Sequence, residues 1–323
     1  MGNLTVAAIG SPGYAAGIGK KSGTTDVTDY DIKKGDVTVS IIEPSSYPDK
    51  LASLFYSVSM VDIALVVVDK IDATFGECAL MLDCIGIGKG YIVLRGGIVK
   101  EQIAPLIKGL SMERYALLED NPIAIREKLM EDAEGLESNE SIKMTTGAGS
   151  VPVDQCFNVK GVGTVVLGNV VEGVINRHDK VKTAPGGKPA EVRSIQKHDD
   201  EFDWSAKGDR VGLALKGIEV ADIERGTVLT NNPALKSGLA FTAEAKLVKY
   251  WPKALEEGMV LHIGHWMQFV SARLESVKDE GDWKQPTLKM ALDKPMVHLP
   301  GDRAVICYLD GGKLRVVGHF ALQ

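Results

Sequence analysis

The hydrophobic pattern of this chain changes character once, close to residue 140. Before that point, short apolar runs rich in β-branched residues (LTVAAI, VTVSII, IALVVV) alternate with stretches of helical periodicity such as NPIAIREKLMEDAEG. In the latter stretch, Asn121 before Pro122 is a typical helix start and Gly135 a typical stop. Strands that are apolar on both faces and alternate with helices predict a parallel sheet with flanking helices.

Beyond this point only strand patterns follow. The acidic, serine-rich stretch 131–141 indicates a linker, and after it come short strands such as GTVVLGNVVEGVI and DRVGLALKGI between Gly, Pro and Asp turns. This texture predicts a β-barrel. A second boundary at NNPALKSG (231–238) precedes another all-β region. We therefore expect three domains, over residues 1–140, 141–232 and 233–323.

The net charge of −6 is distributed unevenly along the chain. Residues 1–150 carry −7, residues 151–232 carry −1 and residues 233–323 carry +2. This acidic net charge argues against a protein that binds nucleic acid through its overall charge, and no DNA partner is expected. Any contact with an acidic partner should therefore use local patches on the later domains.

Sequence patterns argue against a membrane span, a targeting segment, a disulfide framework and a metal site. The longest apolar run, around IALVVV, is too short to span a bilayer, and the N-terminus enters a strand without the pattern of a secretory signal or transit peptide. The four cysteines lack Cys-x-x-Cys spacing, which indicates reduced core thiols in a cytoplasmic protein. No group of His, Cys and carboxylate residues has metal-ligand spacing, so no metal site is predicted. Because the apolar runs are short, no membrane contact is predicted either.

The stretch VAAIGSPGYAAGIGKKSGTTD has the outline of a phosphate-binding loop but fits its rule in neither register. Such a loop needs Gly-x-x-x-x-Gly-Lys-Ser/Thr, in which backbone N–H groups, the lysine and the hydroxyl hold phosphates and Mg²⁺. Counted from Gly10, the last three required positions fall on Ala, Ala and Gly at 15–17. Counted back from Lys20, the first glycine falls on Tyr14 and the hydroxyl residue on Lys21.

Three long segments resemble a known family. These are CFNVKGVGTVVLGNVVEG (156–173), the region 192–229 with VRSIQKHDD and KGDRVGLALKGIEVADIERGTVL, and MVDIALVVVDKIDATFGECALMLDCIGIGKGYIVL (60–94). They are similar to translational GTPases of the elongation factor Tu type, including the selenocysteine-specific elongation factor. The resemblance covers nearly the whole chain and is greatest to shortened, degenerate paralogues of methanogenic archaea. It implies an α/β P-loop-type domain, a parallel sheet with flanking helices, followed by two β-barrel domains.

The family's GTP motifs can be compared with this chain position by position. Where the family has Asp-x-Pro-Gly-His, the segment EPSSYP places Glu43, Ser46 and Tyr47 at the aspartate, glycine and histidine. Where the family reads guanine with Asn-Lys-x-Asp, this chain has RGGI, so that Ile98 replaces the aspartate. The switch segment is reduced to TTDVTDYDIKKGD (24–36).

Loss of these groups together is expected to abolish normal GTP hydrolysis, because phosphoryl transfer depends on positioning and charge neutralisation. The resemblance therefore implies a pseudo-GTPase with no catalytic residue and no expected cofactor. Two alternatives stay open: an active GTPase that binds GTP and Mg²⁺ through non-standard residues, and weak anion binding by the glycine-rich loop. The candidates for a weak nucleotide or anion site are Gly10, Gly17, Gly19, Lys20 and Lys21.

In the family, the second domain helps to hold the aminoacylated 3′ end of tRNA. The positions that match its preserved segments are Arg193, Gln196, His198, Glu224 and Arg225. Arginine can stack on a base or pair with phosphate, and Glu or Gln can accept from a ribose or a base edge. Two alternatives compete with this role: Arg225 could close an ion pair beside a turn at Gly226, and 198–204 could be a solvated acidic loop.

The partner predicted from the resemblance is tRNA or aminoacyl-tRNA, with the ribosome or another translation factor as further options. The leading hypothesis is a translation-factor-like RNA-binding protein without a GTP switch. A protein-interaction scaffold in translation is an alternative that the sequence does not distinguish from it.

Overall fold

The computed structural model describes residues 2–35, 37–136, 148–197 and 200–323. The described residues form an α/β unit (up to residue 136), a first barrel (148–230) and a second barrel (236–323). This is the predicted fold class.

The α/β unit is built on a seven-stranded sheet in the order β2-β3-β4-β1-β5-β6-β7. Strands β4, β1, β5, β6 and β7 run parallel, as predicted, whereas β2 and β3 form an antiparallel hairpin at one edge. The shortened segment 24–36 therefore contributes a strand of the sheet. The strands are β1 Asn3–Ile9, β2 Lys20–Thr24, β3 Val27–Lys34, β4 Val37–Pro44, β5 Ile63–Val68, β6 Gly90–Leu94 and β7 Ala116–Leu118.

Four helices flank this sheet, and their ends follow from local sequence. The Asp72 side chain accepts hydrogen bonds from the backbone N–H of Thr74 and Phe75, and Asn121 caps its helix in the same way. The helix predicted to start after Asn121 and stop at Gly135 is confirmed, so the first part of the expected linker is helical. The helices are α1 Leu51–Val58, α2 Ala73–Ile85, α3 Lys100–Ile107 and α4 Pro122–Gly135.

The first barrel is a ring in the order β11-β16-β8-β9-β15-β12, closed by pairing of β11 with β12. Its buried core is made of Val, Ile and Leu from alternate strand positions. Its strands, with the short β10, β13 and β14, are β8 Ser150–Val159, β9 Gly163–Asn169, β10 Val174–Asn176, β11 Lys180–Ala184, β12 Pro189–Lys197, β13 Asp200–Phe202, β14 Trp204–Ala206, β15 Arg210–Lys216 and β16 Val228–Thr230.

The second barrel is closed in the order β17-β20-β19-β18-β21-β22. Its core is continuous with that of the α/β unit, because α1 and α2 pack on its outer surface. At one contact, a Cβ added to Gly264 would lie 2.5 Å from the Phe55 ring. The strands are β17 Lys236–Leu247, β18 Val260–His265, β19 Gln268–Lys278, β20 Thr287–His298, β21 Arg303–Cys307 and β22 Val316–Ala321.

No helix in the described part of the chain is long and apolar enough to cross a membrane. No group of three or more His, Cys, Asp or Glu side chains in that part could hold a metal ion.

Candidate functional site

The glycine-rich loop leads from β1 into an edge strand. It passes through a short 3-10 turn, Tyr14–Gly17, and enters β2 at once, so the long helix that follows a phosphate-binding loop is replaced by a strand. Lys20 and Lys21 are exposed on β2 and pair in register with Asp31 and Tyr30. The two candidate lysines therefore extend along the sheet edge.

Packing restricts two of the candidate glycines. At Gly10, where φ is 96°, an added Cβ would lie 2.3 Å from the carbonyl oxygen of Val67. At Gly19 it would lie 3.1 Å from Cβ of Tyr30. Gly17 is less restricted, since its nearest neighbour, Pro122, would be 3.4 Å away. Close packing therefore accounts for Gly10 and Gly19 without a bound anion.

The Glu43 carboxylate faces the turn of this loop. Glu43 is 5% exposed, and the Tyr30 hydroxyl donates a hydrogen bond of 3.2 Å to its Oε2. Its Oε1 is buried without a hydrogen bond to any described residue. Burial raises the pKa of Glu43, and the backbone N–H groups of Ala15, Gly13 and Tyr14 and the Tyr30 hydroxyl partly offset that rise. The amides that would face a phosphate thus face a carboxylate of the chain itself.

The space beside the loop is small. One cavity of about 200 Å³ lies between Gly10, Asp69 and Phe75, and another of about 120 Å³ lies between Ser11, Glu43 and neighbouring residues. Small-molecule sites typically occupy about 300–1,000 Å³. Both cavities are smaller than this range.

The position of the guanine-reading motif is occupied by an ion-pair network. Arg95, the first residue of RGGI, pairs with Asp69 and Asp120 at 2.9 Å each. The Tyr14 hydroxyl donates to Asp120 at 2.8 Å, and the Arg95 guanidinium lies 5.5 Å from the centre of the Tyr14 ring. These contacts lower the pKa of Asp120, through Tyr14 first and Arg95 second. Ile98 ends the turn by donating its N–H to the Arg95 carbonyl at 3.1 Å.

Tyr47, at the position of the family's histidine, is buried in the interface between the α/β unit and the second barrel. Its hydroxyl lies 3.1 Å from both the Thr74 carbonyl and Oε2 of Glu77. Burial is the main cause of its raised pKa. The Tyr47 hydroxyl is thus bonded to groups of the chain itself.

Glu77 joins the α/β unit to the second barrel. Arg315 binds its carboxylate through two side-chain bonds, of 2.9 Å from Nε and 2.6 Å from Nη2, and through its backbone N–H at 2.9 Å. Arg315 also donates to the Pro48 carbonyl at 2.9 Å. Glu77 is 3% exposed, so this is a buried, two-pronged ion pair.

A second ion-pair cluster joins the α/β unit to the first barrel. Arg210 lies between Asp29 and Asp154, at 3.3 Å and 3.1 Å. Burial raises the pKa of Asp29, and the charge of Arg210 opposes that rise. Arg225 pairs with Asp26 of the α/β unit. The α/β unit is thus tied by charge to both barrels.

A cleft of about 720 Å³ lies where the three units meet, and two of the predicted site residues line it. These are Glu224 and Arg225. Both Glu224 oxygens accept from Lys294 of the second barrel at 2.9 Å. The Arg225 guanidinium lies 4.8 Å from the centre of the Tyr56 ring. The ion pair weighed for Arg225 from the sequence is therefore present, and Gly226 beside it has φ 88°.

The other predicted residues of this site lie elsewhere. Arg193 and Gln196 are exposed on β12 and do not line the cleft; Arg193 donates to the Val162 carbonyl at 3.2 Å. His198 is outside the described residues.

Sequence reasoning missed Tyr56, Phe269 and Lys294, which complete the cleft from α1, β19 and β20. No local pattern could have found them, since each comes from a different unit or strand.

Comparison with known proteins places this geometry in a family. The model of elongation factor Tu domain 2 matches residues 163–230. An uncharacterized protein of Methanocaldococcus jannaschii is 35% identical over 320 residues, which is 98% of this chain and 99% of that protein. Elongation factor 1-alpha of Saccharolobus solfataricus is 37% identical over 184 residues, 54% of this chain and 41% of that protein.

Longer relatives match across all three units. The selenocysteine-specific elongation factor of Methanocaldococcus jannaschii is 25% identical over 302 residues, 84% of this chain and 64% of that factor. The structure of elongation factor SelB from Methanococcus maripaludis with a GTP analogue superimposes with a TM-score of 0.81 at 21% identity, covering 99% of this chain and 79% of that one. An α/β unit followed by two closed barrels is thus the architecture of a translation elongation factor.

The chain belongs to the elongation factor Tu family. Its full-length similarity to the Methanocaldococcus jannaschii protein is consistent with a branch of shortened paralogues. It spans less than two thirds of the length of elongation factor 1-alpha (41%) and of the Methanocaldococcus jannaschii selenocysteine-specific factor (64%).

Proposed function

We propose that the protein acts in translation as an RNA-binding factor that holds aminoacyl-tRNA, or a ribosomal partner, without a GTP-driven switch. The observation that carries the proposal is the contrast between two places in the molecule. At the family's nucleotide position, Glu43, Tyr47 and Arg95 bond to the chain itself, whereas the cleft between the three units is open, at about 720 Å³.

The cleft has the chemistry that recognises the end of an RNA strand. Tyr56 and Phe269 supply aromatic faces on its wall, and unstacked bases commonly stack on such faces. Arg225 is a cation next to the Tyr56 ring, and Glu224 presents two acceptor oxygens that a ribose hydroxyl could use in place of Lys294.

Ion pairs between the units support the proposed absence of a switch. In switching GTPases, contacts to the γ-phosphate order the segments that set the arrangement of domains. Here the buried Glu77–Arg315 pair and the Asp29–Arg210–Asp154 cluster make that connection from side chains alone. A ligand shifts an equilibrium only by its differential affinity for the two states. A nucleotide that does not bind therefore cannot shift the equilibrium between two domain arrangements.

A mobility-shift titration with charged and uncharged tRNA tests the proposal. We expect charged tRNA to bind more tightly, and Glu224→Ala to weaken that binding roughly tenfold through loss of a charged hydrogen bond. Glu275→Ala is the matched control, because Glu275 forms an exposed ion pair with Lys289 on the second barrel, outside the cleft. Equal binding of the two tRNA forms, or no binding, would reject aminoacyl-tRNA as the partner.

A further inference from the structure

A cavity of about 830 Å³ lies at the end of the parallel sheet opposite the glycine-rich loop, and all three units line it. Asn3 and Thr5, at the start of β1, belong to the α/β unit. Lys197 and Trp204 come from the first barrel, and Trp266 comes from the second. We call this space the rear cavity. Its volume is in the range of about 300–1,000 Å³ that is typical of small-molecule sites.

One face of β1 becomes polar where it reaches the rear cavity. Side chains alternate along a strand, so Asn3 and Thr5 lie on the same face as the apolar Ala7. Thr5 is 1% exposed, and its hydroxyl has no hydrogen-bond partner among the described residues. The same is true of Nδ2 of Asn3, whose Oδ1 accepts from Thr38 at 3.2 Å. Because buried polar groups are nearly always hydrogen-bonded, these two groups indicate a polar occupant of the cavity.

Three aromatic side chains supply flat faces to the rear cavity. Phe202 and Trp204 come from β13 and β14, and Trp266 comes from the loop between β18 and β19. The Lys197 ammonium lies 4.8 Å from the ring centres of both Phe202 and Trp204, which helps to orient these two rings. Aromatic rings stack on flat ring systems, so this wall favours a flat ligand over an aliphatic one.

Trp266 adopts an unfavourable backbone conformation beside the cavity. It is the first residue of the two-residue loop between β18 and β19, and its φ is 48°. Glycine is favoured at such a position, because a side chain makes a positive φ costly. The indole packs on the His265 ring, with ring centres 4.3 Å apart. Residues strained in this way concentrate at ligand sites, which supports a role for this indole in binding.

The charged side chains of the rear cavity already have partners within the chain. Lys197 pairs with Asp209 at 2.5 Å, and Lys207 pairs with Glu172 at 3.5 Å. The Asp62 carboxylate accepts a hydrogen bond of 2.8 Å from a backbone N–H of β1. A charged ligand would have to displace one of these contacts or be buried without a counter-charge, whereas a neutral ligand would not.

We propose that the rear cavity binds a flat, neutral heterocycle that carries hydrogen-bond acceptors. The aromatic side chains stack on its ring system, while the Thr5 hydroxyl and Nδ2 of Asn3 donate to its acceptor atoms. The proposal goes beyond the proposed function and does not depend on RNA, because no described residue lines both the rear cavity and the cleft between the three units.

Fluorine NMR of the full chain labelled with 5-fluorotryptophan tests the proposal. Riboflavin and inosine are the neutral probes, and flavin mononucleotide and inosine monophosphate are their charged counterparts. Trp204 and Trp266 line the cavity, whereas Trp251 and Trp283 do not and serve as reference signals. We expect a neutral probe to shift only the Trp204 and Trp266 signals, with a dissociation constant below about 1 mM. Its phosphorylated counterpart should bind several-fold more weakly.

Thr5→Val separates a ligand-binding role from a structural one. Because the Thr5 hydroxyl is buried without a partner, its removal should not lower the melting temperature of the free protein, whereas probe binding should weaken roughly threefold to tenfold. Thr164→Val is the matched control. Its hydroxyl donates to the Ile218 carbonyl at 2.9 Å outside the cavity, so stability should fall and probe binding should not change.

Trp266→Leu removes one aromatic face and should weaken probe binding about fivefold or more. Trp283→Leu, outside the cavity, should leave it unchanged. The proposal is overturned if neither neutral probe gives saturable shifts, if all four tryptophan signals shift alike, or if the phosphorylated probes bind more tightly. Equal losses of stability in Thr5→Val and Thr164→Val would also overturn it, because the Thr5 hydroxyl would then have its partner, such as water, in the free protein.

Discussion

Glu43, Tyr47 and Arg95 stand where the family has residues that act on GTP, and each has acquired partners within the chain. Glu43 faces the amides of the glycine-rich loop, Tyr47 joins Glu77, and Arg95 pairs with two aspartates. From residue type alone, the sequence shows that these positions differ from the family's GTP-contacting residues. It could not predict the replacement partners, because they come from elements distant along the chain.

The pair of Arg315 with Glu77 should be essential for stability. Arg315→Leu leaves a carboxylate that is 3% exposed without its cation, and we expect the free energy of unfolding to fall by about 3 kcal/mol or more, measured by urea denaturation. Lys289→Leu breaks an exposed pair and should cost no more than about 1 kcal/mol. Equal losses in the two variants would contradict the role assigned to Arg315.

The titration of His319 predicts a pH dependence with a definite sign. Burial lowers its pKa to about 4 in the folded protein, below the ordinary value of 6.5, so the unfolded chain binds more protons between these values. Stability should therefore rise as pH increases from about 4 to about 6.5. His319→Gln should flatten this part of the profile, measured by denaturation at a series of pH values, whereas the control His178→Gln at an exposed site should not. A profile that is equally steep in His319→Gln would refute the assignment.

At the scale of elements, the alternation of strands and helices could be predicted from hydrophobic period and capping residues, as for α4 between Asn121 and Gly135. The edge hairpin of β2 and β3 could not, because Lys20–Thr24 is polar and glycine-containing and gains its strand conformation from pairing. The packing of α1 on β18 could not be predicted either, because the pattern LASLFYSV indicates an apolar helix face but not the element that covers it.

Two glycine substitutions are expected to change the free energy of unfolding in opposite directions. Gly264→Ala places a methyl group 2.5 Å from the Phe55 ring, so we expect a loss of about 1–3 kcal/mol in the free energy of unfolding. Gly76→Ala lies within α2 with open space around it, and we expect a gain of up to about 1 kcal/mol. Thermal or urea unfolding measures both, and a neutral Gly264→Ala would show that the helix–barrel contact is loose.

At the scale of the whole molecule, the candidate site depends on how three units are assembled. Glu224 and Arg225 were predicted from one segment that resembles the family's second domain, but the cleft is also lined by Tyr56 from α1 and Lys294 from β20. Such a site is defined by tertiary structure, and a single sequence without the fold cannot supply it. Ion pairs join the α/β unit to both barrels.

We propose that this protein has the three-domain architecture of an elongation factor and binds no guanine nucleotide. Isothermal titration calorimetry of GTP and of GDP into the full chain with Mg²⁺ measures this binding. We expect no saturable heat up to millimolar nucleotide, because Glu43 and the Arg95 network hold the positions that phosphate and base would need. Saturable binding with a dissociation constant below about 1 mM, roughly 4 kcal/mol of binding free energy, would contradict it.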